Sequence, residues 1–181
     1  MRINVIGTSG CGKSTFARRI AKQQGVPYVE LDALHWRPNW TESTDDELLT
    51  RLAEVLSGDE WVLDGNYSKV RPFTWKRVQK VVFLDLPFHI VLYRIILRSL
   101  TRGFKGEELW AGNKESLWQH LFTRDSMILW TLRNFHKNRR KYEAQVNKPE
   151  FSDIEFIRLR SRKAVDDCYD QWSSQAISEA S

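Results

Sequence analysis

Apolar residues follow two rhythms along this chain. Short, β-branched and mostly unalternating runs at 3–6, 26–31, 61–63, 81–84 and 154–159 predict five strands buried on both faces. Between them, segments with helical spacing cover 13–24, 44–56 and 87–102, followed by Gly25, Gly58 and Gly103, glycines placed where helices stop. Thr44 with Glu47 three positions on forms a capping-box start, and Pro87 suits a first helical turn. Further helices are predicted over 115–122, 124–145 and 161–173. Strands alternating with helices of this length predict a parallel sheet covered on both sides. No internal repeat or low-complexity tract interrupts the pattern, and 181 residues fit one domain spanning 1–181.

Composition narrows the class without naming a chemistry. Hydrophobic content of 41% and charged content of 28% lie near soluble averages, and no apolar run reaches the roughly 18 residues of a membrane span. The opening residues lack a secretory apolar stretch, and Cys11 and Cys168 stand 157 positions apart. Free thiols in a reducing cytoplasm are therefore expected. The charge of +5 is uneven: residues 1–93 carry +1, 94–142 carry +7 and 143–181 carry −3. A local anionic partner suits that distribution better than a surface coated for nucleic acid.

The chemistry begins at Gly7-Thr8-Ser9-Gly10-Cys11-Gly12-Lys13-Ser14, followed by Thr15. This is G-x-x-x-x-G-K-[ST], directly after a predicted strand and before a predicted helix, the context a P-loop requires. Glycines let successive N–H groups converge on phosphates, and the helix N-terminus adds partial positive charge. In that reading Lys13 reaches the β and γ phosphates and the Ser14 hydroxyl meets Mg²⁺. Asp64, in Trp61-Val62-Leu63-Asp64-Gly65-Asn66-Tyr67, ends a strand where a carboxylate holds Mg²⁺. Asp85 is its rival, although a helix-capping role before Pro87 explains it without chemistry. Asp32 ends the second predicted strand, placed to accept a hydrogen bond from an acceptor hydroxyl.

These pieces resemble a known group. The phosphate loop, Leu31-Asp32 followed by Pro38-Asn39-Trp40, the Asp64-Gly65-Asn66-Tyr67 turn and the arginine-bearing helix after the fourth strand are together similar to adenylate-kinase-related P-loop proteins called DNA topology modulation proteins. The resemblance covers most of the chain. It implies an α/β fold, a P-loop NTPase three-layer α/β/α architecture with a five-stranded parallel sheet in the order 2-3-1-4-5 and a helical lid, and it implies ATP as phosphoryl donor. Adenylate kinases follow their Asp-Gly turn closely with an arginine, whereas Asn66-Tyr67-Ser68-Lys69 precedes Arg71 here.

Arg94, Arg98 and Arg102 recur every four residues on one helical stripe, with Gly103, Gly106 and Gly112 beyond them and Arg124 and Arg133 on the next predicted helix. A hinged lid over 98–135 would use Arg98, Arg102 and Arg124 to neutralise the transferring phosphoryl. The run His136-Lys137-Asn138-Arg139-Arg140-Lys141 reads as the solvated end of a long helix, with nucleic-acid contact as its alternative. On the acceptor side stand Asp32, His35, Trp36, Trp40, Tyr67 and Arg71. The expectation is transfer of the γ-phosphate of MgATP to a small hydroxyl- or phosphate-bearing molecule. A nucleotide-dependent regulatory ATPase, its basic segment on nucleic acid or protein, is the alternative. The absence of N-K-x-D favours ATP over GTP.

Overall fold

A computed structural model describes residues 1–105, 110–113, 127–146 and 148–179. Five parallel strands, β1 (Arg2–Gly7), β2 (Tyr28–Glu30), β5 (Trp61–Asp64), β6 (Lys80–Leu84) and β7 (Glu155–Leu159), make the main sheet in the order β2-β5-β1-β6-β7. Counted among themselves these are strands 2-3-1-4-5, the expected order. Between the second and third of them lies an antiparallel pair absent from the sequence reading, β3 (Trp36–Arg37) with β4 (Thr41–Glu42). Two-residue strands leave no periodic signal to read.

Side-chain alternation along the strands divides the core into two halves. Ile3, Val5, Val62, Val82 and Leu84 pack on one face with α1 (Lys13–Gln24), α5 (Phe88–Lys105) and α7 (Arg162–Glu179). Ile6, Trp61, Leu63, Val81 and Phe83 pack on the other with α3 (Asp45–Val55) and Trp75, which follows the short α4 (Arg71–Thr74). Tyr142 of α6 (Met127–Val146) also packs on this second face. The result is the three-layer α/β/α arrangement.

Local signals set most helix ends. Gly25, at φ 66°, caps α1, and the Thr44–Glu47 capping box opens α3. The helix expected over 44–56 runs Asp45–Val55 between its caps Thr44 and Leu56. One predicted stop fails: the helix of Arg94 runs past Gly103 to Lys105. A glycine permits a stop but does not impose one, because it weakens a helix interior by only about 1 kcal/mol. The second strand is also shorter than predicted. At Leu31 the chain turns into α2 (Leu31–His35), so Asp32 lies in a helical turn one residue past the strand end.

Asp85 is engaged by an arginine cluster. Its carboxylate, 2% exposed, accepts from Arg158 Nε at 2.9 Å and Nη2 at 2.6 Å, lies 3.0 Å from Arg139 Nη2, and has Arg160 Nε at 3.6 Å. Arg158 also pairs with Glu143. The cluster joins the end of β6, α6 and β7. It takes Arg139 out of the expected solvated run, and Lys141 of that run donates to the Ser68 hydroxyl at 2.7 Å. Asp85→Asn should therefore lower unfolding stability by about 3 kcal/mol, because the arginine cluster loses its buried carboxylate and keeps only the more exposed Glu143, which Arg139 and Arg158 also meet. Urea unfolding checks this, and a loss under about 1 kcal/mol would show the arginines to be satisfied by water.

Candidate functional site

The phosphate loop sits between β1 and α1 at the C-terminal edge of the sheet. Gly10, at φ 79°, is a close approach: a Cβ there would lie 2.4 Å from Ile95 Cγ1 of α5. Gly12 is the N-cap of α1 in the left-handed region, with no side-chain cap and no acidic residue in the first turn, so the helix presents its N-terminal dipole uncompensated. Lys13 Nζ donates to Thr8 O at 3.2 Å. Burial works against its charge, but Cys11 and Asp64 nearby hold the ammonium above the ordinary lysine value. Thr8 and Cys11 are buried, Gly7 lies in β1, Ser9, Gly10, Gly12 and Ser14 are half-buried, and Thr15 faces outward. Burial raises the Cys11 thiol, the opposite of what a redox-sensitive cysteine requires.

Asp64 ends β5, which pairs in parallel with β1 and places Asp64 beside Val5. Its Oδ2 accepts from the Tyr28 hydroxyl at 3.0 Å, while its Oδ1 is buried with no hydrogen-bond partner. Burial raises its carboxyl above the ordinary range, opposed by the Lys13 charge and the Ser14 hydroxyl. The turn after it is held from below. Asn4 Nδ2 donates to Leu63 O at 3.1 Å and Gly65 O at 3.0 Å, and Asn4 Oδ1 accepts from Trp75 Nε1 at 2.9 Å. Gly65 adopts φ 138°, where a Cβ would lie 2.5 Å from Leu31 Cβ.

The arginine stripe reaches the loop. Arg94 Nη1 donates to Cys11 O at 3.0 Å, and Arg98 Nη2 donates to Ser9 Oγ at 3.0 Å. Arg94, part of the stripe but outside the expected lid set, is thus as close to the phosphate loop as Arg98. The backbone of Arg102 continues the helix, but its side chain, Arg124, Gly106 and the helix predicted over 115–122 lie outside the described residues.

Five of the six acceptor-side residues come together. Tyr67 donates to Asp32 Oδ1 at 2.8 Å, and the His35 ring lies 4.7 Å from that of Tyr67 and 5.0 Å from that of Trp36. Trp36 meets Trp40 edge-on at 5.4 Å. His35 Nε2 is 3.9 Å from Glu42, and its Nδ1 is buried with no partner. Asn39 and Trp40 both have positive φ, 60° and 54°, a strained conformation for tryptophan. It is held by Asn113, which accepts from Trp40 N at 2.9 Å and donates to Arg37 O at 2.9 Å and Trp110 O at 2.8 Å.

Arg71 lies deeper, lining a small recess of about 10 Å³, the room of a single water, together with Gly65, Asn66 and Tyr67. Its side chain is buried, donates to Asn66 Oδ1 at 2.9 Å and lies over the Trp75 ring at 5.2 Å. No carboxylate pairs with it among the described residues, and burial lowers its pKa. Tyr142 is buried near Lys13 and Arg71. Tyr28, Asn4, Asn113 and Tyr142 leave no spacing signal, since each reaches the site through a partner at least 36 positions away.

A nucleotide-type phosphate loop before a helix, in a parallel sheet of this order, defines the P-loop NTPase fold of small kinases. The family model described as AAA domain matches residues 3–111, and the chain belongs to that family. Solved structures share the fold. Shikimate kinase from Aquifex aeolicus vf5 aligns over 99% of this chain and 98% of its own, at 16% identity and TM-score 0.54. Shikimate kinase from Acinetobacter baumannii in complex with shikimate aligns over 98% and 93%, at 18% identity and TM-score 0.58. A gluconokinase from Sinorhizobium meliloti 1021 aligns over 99% and 93%, at 18% identity and TM-score 0.51. No curated protein sequence matches the chain. No helix among the described residues is long and apolar enough to cross a membrane.

Proposed function

We propose that the chain is a small-molecule kinase that binds MgATP at Gly7 to Thr15 and transfers the γ-phosphoryl group to a compact hydroxyl-bearing acceptor with an oxyanion of its own. The observation that carries this reading is Arg71: a buried guanidinium with no carboxylate partner among the described residues, lining a small recess beside the turn that follows Asp64. Such a charge is costly to keep unless an anion completes it. Kinship with the DNA topology modulation proteins belongs to the same proposal and rests on residues 32–40 and 64–67.

The protein's work in this reaction is placement and charge compensation. Lys13, the loop amides and the arginines of α5 with Arg98, and by extension Arg102 and Arg124, neutralise the phosphates. Asp64 and Ser14 would hold Mg²⁺, which supplies further charge neutralisation, and the orphaned buried Oδ1 of Asp64 fits that duty. Arg71 takes the acceptor's oxyanion beside Tyr67, which lines the same recess and packs on His35, with Trp36 and Trp40 next to His35. Asp32, oriented by Tyr67, accepts the proton of the attacking hydroxyl as its oxygen bonds to the γ-phosphorus and the bond to the β,γ-bridging oxygen breaks.

Arg71→Met tests the acceptor side directly. Small hydroxy-carboxylates and sugar phosphates should raise the Tm of the wild type, at least one by several degrees, and leave the variant unmoved. The variant itself should melt no lower than about 2 °C below wild type, because an uncompensated buried charge is replaced by an apolar chain of similar length. Stabilisation that survives in the variant would place the acceptor elsewhere.

A further inference from the structure

The two oxygens of Asp64 are not equivalent. Oδ2 is taken by the Tyr28 hydroxyl at 3.0 Å, and Oδ1, buried, has no partner. Tyr28 is itself fixed. It stands in β2 in register with Val62 of β5, its ring lies 5.2 Å from the Arg18 guanidinium of α1, and Arg18 is tied to Glu30 at 2.9 Å.

A carboxylate with one oxygen occupied by a fixed donor has one oxygen for a cation. Mg²⁺ is content with that, since it binds at short distance in an octahedron largely completed by water and phosphate oxygens. Ca²⁺ is larger, takes six to eight oxygens and gains from a carboxylate that can turn to offer both. We infer that Tyr28 is a specificity-determining residue for the metal, restricting Asp64 to a single oxygen and so favouring Mg²⁺ over Ca²⁺. The inference rests on Asp64 holding the metal, as proposed above.

Calorimetric titration of a non-hydrolysable ATP analogue, without metal, with Mg²⁺ and with Ca²⁺, tests it on the full-length wild type, Tyr28→Phe and Asp64→Asn. In Tyr28→Phe the Mg²⁺-over-Ca²⁺ affinity ratio should narrow by about tenfold, the scale of losing one outer hydrogen bond at a metal site. Metal-free analogue binding should be unchanged. Arg18→Gln, an exposed change that frees the tyrosine ring, should narrow the ratio in the same direction and serves if Tyr28→Phe does not fold. A wild-type ratio in a folded Tyr28→Phe, with Asp64→Asn losing its metal dependence, overturns the inference and leaves the metal reading standing. Metal dependence intact in Asp64→Asn overturns both.

Discussion

Lys13→Ala is expected to lower the rate of ADP release by about 10³-fold, the scale of removing one fixed donor from a developing negative charge. The ammonium is held in the loop by Thr8 O at 3.2 Å, and its raised pKa, set by Cys11 and Asp64 against the cost of burial, keeps it charged wherever the enzyme would work. The side chain is only half-buried, and its hydrogen bond is to the loop carbonyl of Thr8. Melting should therefore stay within a few degrees of wild type while turnover collapses. Steady-state ADP release beside a melting curve measures both, and turnover within a few-fold of wild type would remove Lys13 from the phosphate site.

Asp64→Asn should weaken Mg²⁺-dependent nucleotide binding by about 10²-fold, the upper range for disturbing one metal contact, and should not weaken the fold. The sign follows from the buried carboxyl. Its folded pKa is raised above the unfolded value of about 3.9, so the native state holds the proton more tightly than the unfolded chain. Its contribution to stability is present below that value and is lost as pH rises toward the folded pKa. At neutral pH the ionised carboxylate is a cost that asparagine relieves, and Asp64→Asn should melt at or above the wild-type temperature. Calorimetry with and without Mg²⁺ checks the binding. A variant that loses stability but keeps Mg²⁺ dependence would mark Asp64 as a structural residue.

Local patterns made part of this legible in advance. The phosphate loop needs nine consecutive residues and a flanking strand and helix, all visible in sequence, and the strand order followed from that resemblance. Asp32 was placed one element too early, because Leu31 continues an apolar run that in space turns into α2. Asp85 looked like a cap since Pro87 stands two residues on. Its true partners, Arg139, Arg158 and Arg160, are at least 54 positions away, a separation that leaves no spacing signal. The same reason hid Tyr28, which meets Asp64 only because β2 and β5 pair in parallel, and Asn113, which holds the Trp36–Glu42 hairpin from the far side of α5 in sequence. Gly103 misled in another way, by marking a stop that the packed helix overrides.

The central claim is that the anion sites at Lys13 and Arg71 serve one phosphoryl transfer. ADP release from MgATP, followed across a panel of hydroxy-carboxylates, sugar phosphates and nucleic acids, tests it most directly. The account predicts that release rises at least tenfold with one small oxyanion-bearing hydroxyl compound, which gains a phosphoryl group, and that Arg71→Met abolishes the rise. Release stimulated by nucleic acid alone, with no phosphorylated small molecule formed, would contradict it.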